Sequence, residues 1–165
     1  MTPRSDAASV AIRHETIIST PGDLELVMTR MFDAPRARVW AAFTDPKHVP
    51  NWQTGPEGTT MPICEIDLRP GGRWRYVWRN AHGRDATATG TFREVDPPRR
   101  LVMVTVRNDE EQTNTMTFTE ESGRTKVTTW MRFASKTARN QALPYAKLGT
   151  QTNYAHLAPY LASTN

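Results

Sequence analysis

Residues 73–79 read Arg-Trp-Arg-Tyr-Val-Trp-Arg. At the two-residue period of a β-strand, Trp74, Tyr76 and Trp78 share one face, and Arg73, Arg75 and Arg79 share the other. A helix would spread the same rings and guanidinium groups around its circumference and leave no side to bury. The segment is therefore a strand in a sheet with one apolar and one solvated face. Its apolar face carries three large rings, and they need a second layer to cover them.

The flanking sequence supplies more strands and one candidate cover. Alternating or β-branched runs span Ile63–Leu68, Arg73–Asn80, Ala86–Val95, Leu101–Arg107, Thr113–Glu120 and Thr125–Phe133. Pro70-Gly71-Gly72, Asn80 to Gly83, Asp96-Pro97-Pro98, Asn108-Asp109 and Ser122-Gly123 separate them as turns. Such short connections predict an antiparallel meander. Two earlier strands are expected, over Arg13–Thr20 and Leu24–Phe32, with Arg30 interrupting the apolar parity of the second. Asp33-Ala34-Pro35 opens a short helix over Arg36–Phe43, and Asp45-Pro46 opens a second one that Pro50 limits. Ala138–Ala162 reads as one long helix, with Leu143, Ala146, Leu148, Tyr154, Leu157 and Leu161 on its apolar side. Pro144 predicts a kink or a break in it.

The fold class is thus α+β: a curved antiparallel sheet of about six to seven strands, two short helices and a long C-terminal helix. Residues 13–163 are expected to form one domain and residues 1–12 a flexible tail. The 165 residues suffice for a core without metals or disulfides. The single Cys64 permits no intrachain disulfide and suits a reducing, cytoplasmic setting. No signal-peptide run opens the chain, and no stretch has the length and apolarity for membrane insertion. The net charge of +4 is mildly basic. Binding to nucleic acid would call for aromatics interleaved with the arginines on one face, and here they lie on opposite faces.

The three rings either fill a core or line a cavity, and bulky rings splayed along a curved sheet leave space for an apolar ligand. Gly90, sharing a parity with Ala88 and Phe92, suits a sharp bend or an enlarged pocket. Same-face residues elsewhere extend the candidate ligand-binding set to Trp52, Trp74, Tyr76, Trp78, Phe92, Met103, Asn114, Met116, Phe118, Thr129 and Tyr154. Asn114 and Thr129 are its candidate polar anchors. Met103 and Met116 adapt to irregular shapes.

No motif compels catalysis. There is no G-x-S-x-G elbow, no C-x-x-C and no Gly-rich phosphate loop, so neither catalytic residues nor a cofactor are assigned. His14, His48, His82 and His156 are scattered without metal-ligand spacing, and no metal site is assigned. Glu65 and Asp67 take the outer parity, where salt bridges to the arginine stripe account for them. Cys64 has no base nearby in sequence and reads as an inert, buried thiol.

Phe32-Asp33-Ala34-Pro35-Arg36, Val39-Trp40, Thr44-Asp45-Pro46 and Trp52 together resemble the opening of START-like helix-grip proteins. Cys64 to Trp74, reading Cys-Glu-Ile-Asp-Leu-Arg-Pro-Gly-Gly-Arg-Trp, is similar to the central motif of the branch named after the activator of the heat-shock-protein-90 ATPase. Arg93-Glu94-Val95, Pro98 to Leu101, Gly149, Tyr154, Leu157 and Leu161 continue the resemblance over roughly residues 24–163. It implies a sheet of about seven strands gripping the last helix around a cavity. Relatives bind lipids, hormones, aromatic polyketides or other apolar molecules, and some are cyclases or hydratases. The stress-response link in the branch name belongs to eukaryotic members with an additional N-terminal domain, for which 165 residues are expected to leave no room. Gln53 stands where a second aromatic usually follows Trp52, which implies a more polar pocket entrance.

The function expected is binding of a small hydrophobic, lipid-like or aromatic ligand in an internal cavity, without catalysis. One alternative is a cyclase, hydratase or hydrolase acting on a hydrophobic substrate through His48, Asn114, Thr129 or Tyr154. The other is a protein-interaction or chaperone-partner module. Trp130 supports the latter, because its parity sets it on the outer face with Lys126, Thr128 and Arg132. A homodimer would cover it, as would packing from the N-terminal strand.

Overall fold

The computed structural model describes residues 14–163, so the expected tail at 1–12 lies outside the described residues. The alternating run forms strand β4 (Arg73–Arg79) of an eight-stranded antiparallel sheet. The other strands are β1 (Ile17–Ser19), β2 (Glu25–Phe32), β3 (Thr60–Ile66), β5 (Asp85–Asp96), β6 (Arg100–Arg107), β7 (Glu110–Glu121) and β8 (Arg124–Arg132). Their spatial order is β1-β2-β8-β7-β6-β5-β4-β3. From β3 to β8 the chain is a meander, and β2 returns to pair with β8. The sheet exceeds the expected six to seven strands because the three-residue β1 pairs along β2 at the edge.

Turn chemistry sets the hairpins. Asn108 and Asp109 both have positive φ, 52° and 62°, as do Ser122 and Gly123, at 53° and 79°. Two such residues make the tight turn whose twist suits an antiparallel pair. Register shifts between Phe92 and Glu94, and between Thr60 and Ile63, bend the sheet locally. Gly90 lies opposite Trp74, and a methyl group on it would run into the Val104 carbonyl oxygen and the Trp74 ring.

Helix α1 (Arg36–Thr44) starts after Pro35, as expected, and ends at Asp45. The second helix expected after Asp45-Pro46 is only a three-residue 3₁₀ turn, Val49–Asn51. Pro50 sits inside it and has no N–H to extend an α-helical ladder. Helix α2 spans Lys136–Ser163 without a break, through both Pro144 and Pro159. Ser135 Oγ accepts the Ala138 N–H at 3.0 Å, which caps its start. The buried Arg139 guanidinium donates to the carbonyls of Gly22 (2.6 Å) and Glu25 (3.0 Å), tying that end of the helix to the sheet. Leu148, expected on the apolar side, is 65% exposed. It stands about 140° around the helix from Leu143, off the stripe that Tyr154, Leu157 and Leu161 bury.

The principal core lies between α1, the C-terminal half of α2 and the inner face of the sheet. Phe32, Val39, Leu101, Phe118, Val127 and Leu157 are all nearly or fully buried there. A smaller cluster, Leu26, Met28 and Phe133, meets Ala142 and Leu143 near the start of α2. The outer face carries exposed ion pairs, including Arg75–Glu65 at 3.2 Å, Arg79–Asp85 at 2.8 Å and Arg100–Glu94 at 3.1 Å. Solvent weakens each of them, so they decorate the sheet rather than hold it. Asp67 pairs with Arg69 of its own turn instead of the stripe, at 2.9 Å. Among the described residues no helix is long and apolar enough to cross a membrane.

Two outcomes follow from this packing. Gly90→Ala should lower the urea unfolding free energy by about 2–3 kcal/mol, because a carbonyl and a seated indole cannot both move aside. Cys64 packs against the core opposite Tyr76, and burial, with Asp45 adding to it, pushes its thiol up from 9.0 to about 11. The loss of thiolate outweighs the gain in its nucleophilicity, so at pH 8 iodoacetamide should alkylate folded Cys64 about tenfold more slowly than the urea-unfolded chain.

Candidate functional site

Where α2 passes over β4, the two surfaces do not meet. A cavity of about 300 Å³ separates them. Its floor is built from inward positions of successive strands: Trp74, Tyr76 and Trp78 on β4, Ala88 on β5, Met103 on β6, Asn114 and Met116 on β7, Thr129 and Met131 on β8, and Met28 on β2. Ala146, Gly149, Thr150, Asn153 and Tyr154 of α2 form the roof, and Phe43, Trp52 and Gln53 close one end. The roof residues at 146, 149, 150 and 153 follow helical i, i+3, i+4, i+7 spacing, so one face of α2 looks down on the rings.

Nine of the eleven residues singled out from the sequence line this cavity; Phe92 and Phe118 do not. Phe118 is 2% exposed and packs edge-on against Trp40 (5.2 Å) and Phe43 (5.4 Å) in the core. Phe92 is equally buried, beside the irregularity in β5, where its backbone bonds Gly71 and Gly72. Both have the correct parity, but the inner face of the sheet is longer than the cavity, and parity says nothing of depth. The α2 face was the larger omission. Its signal was a stripe of small and polar residues, Ala146, Gly149, Thr150 and Asn153, beside the apolar stripe that draws the eye.

Most polar groups around the cavity are already committed. Trp52 Nε1 donates to the Ala42 carbonyl at 2.8 Å, and Trp78 Nε1 donates to the Gln53 carbonyl at 2.7 Å. The first ties the end of the 3₁₀ turn to α1, and the second holds the loop after it against the sheet. Asn153 Oδ1 accepts the Gly55 N–H at 2.8 Å, and Asn114 Oδ1 accepts from Gln112 Nε2 at 2.9 Å. The Tyr154 hydroxyl bonds Thr129, and burial pushes its pKa up while Thr129 and the Arg30 charge pull it back. Burial also raises the Tyr76 phenol. Both phenols therefore stay protonated across the physiological range. Trp74 Nε1 differs from the other two indoles: it is buried and has no hydrogen-bond partner among the described residues.

Among the described residues, no carboxylate, imidazole, thiol, ammonium or guanidinium group lines the cavity. His48, the imidazole considered for a catalytic role, instead bonds the Tyr160 hydroxyl through Nδ1 at 2.6 Å and is not in the lining. Arg30 does turn inward, with its guanidinium 5.1 Å from the Phe32 ring, and burial lowers its pKa; it too stays outside the lining. No group of three or more His, Cys, Asp or Glu could hold a metal among the described residues. Trp130 is 42% exposed on the outer face, where a hollow is bounded by Arg100, Thr115, Thr117 and Thr128.

The same architecture occurs in solved structures. A protein from Rhodobacter sphaeroides is 29% identical, with a TM-score of 0.83 over 90% of this chain and 99% of its own. Protein Ms6760 from Mycobacterium smegmatis is 26% identical, with a TM-score of 0.79 over 92% of this chain and 99% of its own. An AHSA1-like protein from Aeromonas hydrophila, at 22% identity and a TM-score of 0.65 over 84% of this chain and 97% of its own, shares the fold. No protein of curated function matches the chain. Residues 33–162 match the model of the family described as Activator of Hsp90 ATPase homolog 1-like protein. That stretch runs from the start of α1 almost to the end of α2, across every strand that floors the cavity except β2. On that match and this helix-grip architecture, the chain belongs to the Activator of Hsp90 ATPase homolog 1-like family.

Proposed function

We propose that the protein binds a small apolar molecule, of about two aromatic rings, in the cavity beneath α2. The observation that carries this is Gly149. It stands in the middle of a 28-residue helix, where glycine costs roughly 1 kcal/mol against alanine. Nothing lies within 4 Å of where its Cβ would be. No close packing demands glycine there, and a larger residue would both strengthen the helix and fill the space. Stability given up at a position that keeps a cavity open fits the trade-off between stability and function. The size follows from volume: an apolar cavity of ~150 Å³ accepts one benzene ring, and this one is about 300 Å³.

Binding is favoured over cyclase, hydratase or hydrolase chemistry because the polar side chains of the described lining are neutral amides, hydroxyls, indoles and protonated phenols. Such groups orient a ligand, and none of them is poised to exchange a proton near neutral pH. The single cysteine fits a cytoplasmic setting. The exposed Trp130 supports an additional contact, a homodimer through the outer face of the sheet.

Naphthalene should bind the native protein in saturation-transfer NMR. Gly149→Leu should abolish that signal while raising the melting temperature, by about 2–4 °C for each kcal/mol gained. A Gly149→Leu protein that still takes up naphthalene would place the binding elsewhere. For the dimer, Trp130→Ala should convert it to monomer in sedimentation equilibrium; an unchanged oligomeric state removes that part of the reading.

A further inference from the structure

We infer that the ligand is amphipathic: its apolar part fills the cavity, and an uncharged polar end, a hydroxyl or an amide, lies in the groove between the first half of α2 and the β6–β7 hairpin. The inference rests on the cavity being a binding site, and adds what the ligand carries and which way it lies. The groove holds about 650 Å³ and adjoins the cavity, for Trp78 and Ala146 line both. They meet from opposite sides, an indole on β4 and a bare methyl group on α2.

Ala138, Ala142 and Ala146 recur at every fourth residue on one face of α2, and all three line the groove. They carry the small stripe of Gly149 and Asn153 outwards by about 12 Å. The other end of the cavity is held shut. Trp52 and Trp78 bond the backbone of Ala42 and Gln53 there, and Asn153 bonds that of Gly55. A ligand thus enters from the groove, and the end that is last to leave water trails behind.

The floor changes character along the same line. Inward positions of β7 run Met116, Asn114, Gln112 and Glu110, opposite Leu101, Met103, Thr105 and Arg107 of β6. The first pair is apolar and the last is a pair of charges. Gln112 in the groove donates to Asn114 in the cavity at 2.9 Å, so the polar surface continues across the boundary. A molecule apolar throughout and long enough to reach the groove would strip water from Arg107 and Glu110 and give nothing in return. A polar end gives them a partner. The charges in the groove balance, which sets the kind of polar end. Arg107 stands opposite Glu110, and the other carboxylate in the lining, Glu111, takes the Arg93 guanidinium at 2.7 Å. A charged end would meet attraction and repulsion together, whereas a hydroxyl or an amide donates to Glu110 and accepts from Arg107.

Naphthalene, 2-hexylnaphthalene, 6-(2-naphthyl)hexan-1-ol and 6-(2-naphthyl)hexanoate separate the possibilities. In isothermal titration of the full chain, the alcohol should bind at least about tenfold more tightly than naphthalene, from the methylenes it buries. It should also bind at least as tightly as the hexyl compound, although it is the less hydrophobic of the two, and more tightly than the hexanoate. In amide NMR spectra the alcohol should shift Asn108, Glu110 and Ala142, which naphthalene leaves in place. Ala142→Phe fills the groove and should weaken the alcohol about tenfold and naphthalene by less than about twofold. Should that helix substitution disturb the packing, Arg107→Ala combined with Glu110→Ala, at two exposed positions, should make the hexyl compound the tighter ligand. A hexyl compound that binds the native protein more tightly than the alcohol, or an alcohol that leaves the hairpin amides unshifted, would overturn the inference; naphthalene bound as expected would leave the cavity reading standing. Hexanoate binding more tightly than the alcohol would overturn the uncharged end. Binding of none of the probes would remove the cavity reading itself.

Discussion

The seating of the Trp74 ring on the bare backbone of Gly90 sets the geometry on which the rest depends. Two neighbouring strands come together there with an indole on one and no side chain on the other, and the Val104 carbonyl on the strand beyond leaves no slack. The ring is laid down against the sheet instead of standing upright in the core. Tyr76 and Trp78 then continue the row at ring separations of 5.1 and 5.8 Å. A floor of inclined rings cannot interdigitate with a helix as aliphatic side chains do, so a gap remains under α2. The cavity follows from an aromatic strand facing a helix whose facing stripe is small.

Helix α2 does two jobs along two different stripes. Tyr154, Leu157 and Leu161 bury themselves against the core, and Tyr154 meets the Phe32 ring at 5.1 Å. Arg139 anchors the other end through carbonyls of the β2 approach. Between these fixed ends the small stripe spans the rings without filling the space. A helix held at both ends tolerates a weak middle: Gly149 and Pro144 both lower its intrinsic stability, yet it runs unbroken. Tertiary contacts outweigh local propensity here. Pro144 removes one hydrogen bond from an exposed turn, a loss that water offsets.

The contrast between these stripes explains what could be read from the residues alone. Strands and hairpins were legible because alternation and turn residues are local signals: β4 shows its parity in seven residues, and Asn108-Asp109 and Ser122-Gly123 mark their turns without reference to anything distant. The face on which Trp74, Tyr76, Met116 and Thr129 lie follows from parity in the same way. Depth along that face does not. Phe92 and Phe118 fall outside the cavity because of where α1 and the Gly71-Gly72 turn pack, a tertiary circumstance with no local trace. Leu148 misleads for the opposite reason, since its apolar character suggests a buried face that helical geometry denies it. Gly149 was visible only as a match to relatives, and its physical role appears once the space beneath it is seen.

Core and cavity share the inner face of the sheet and overlap at Trp52, Trp74, Tyr76, Met116 and Tyr154, but the most deeply buried residues belong to the core alone. Phe32, Val39, Leu101, Phe118, Val127 and Leu157 hold the layers together, and none of them lines the cavity. Met28, Met103, Met116 and Met131 line it, and their unbranched side chains yield to different shapes without pulling on the backbone. The methionines can therefore reshape the site while Phe32, Val39, Leu101, Phe118, Val127 and Leu157 keep the layers together. Such a division lets one architecture serve unrelated ligands, because function resides in the lining and the fold only holds it in place. In this chain the described lining is neutral: its phenols are kept protonated by burial, the Asn114 and Asn153 oxygens are tied, and none of the described residues in it is charged. What remains open inside is shape and a few donors, and these select by hydrogen bonding and size where a charged pocket would select by ion pairing.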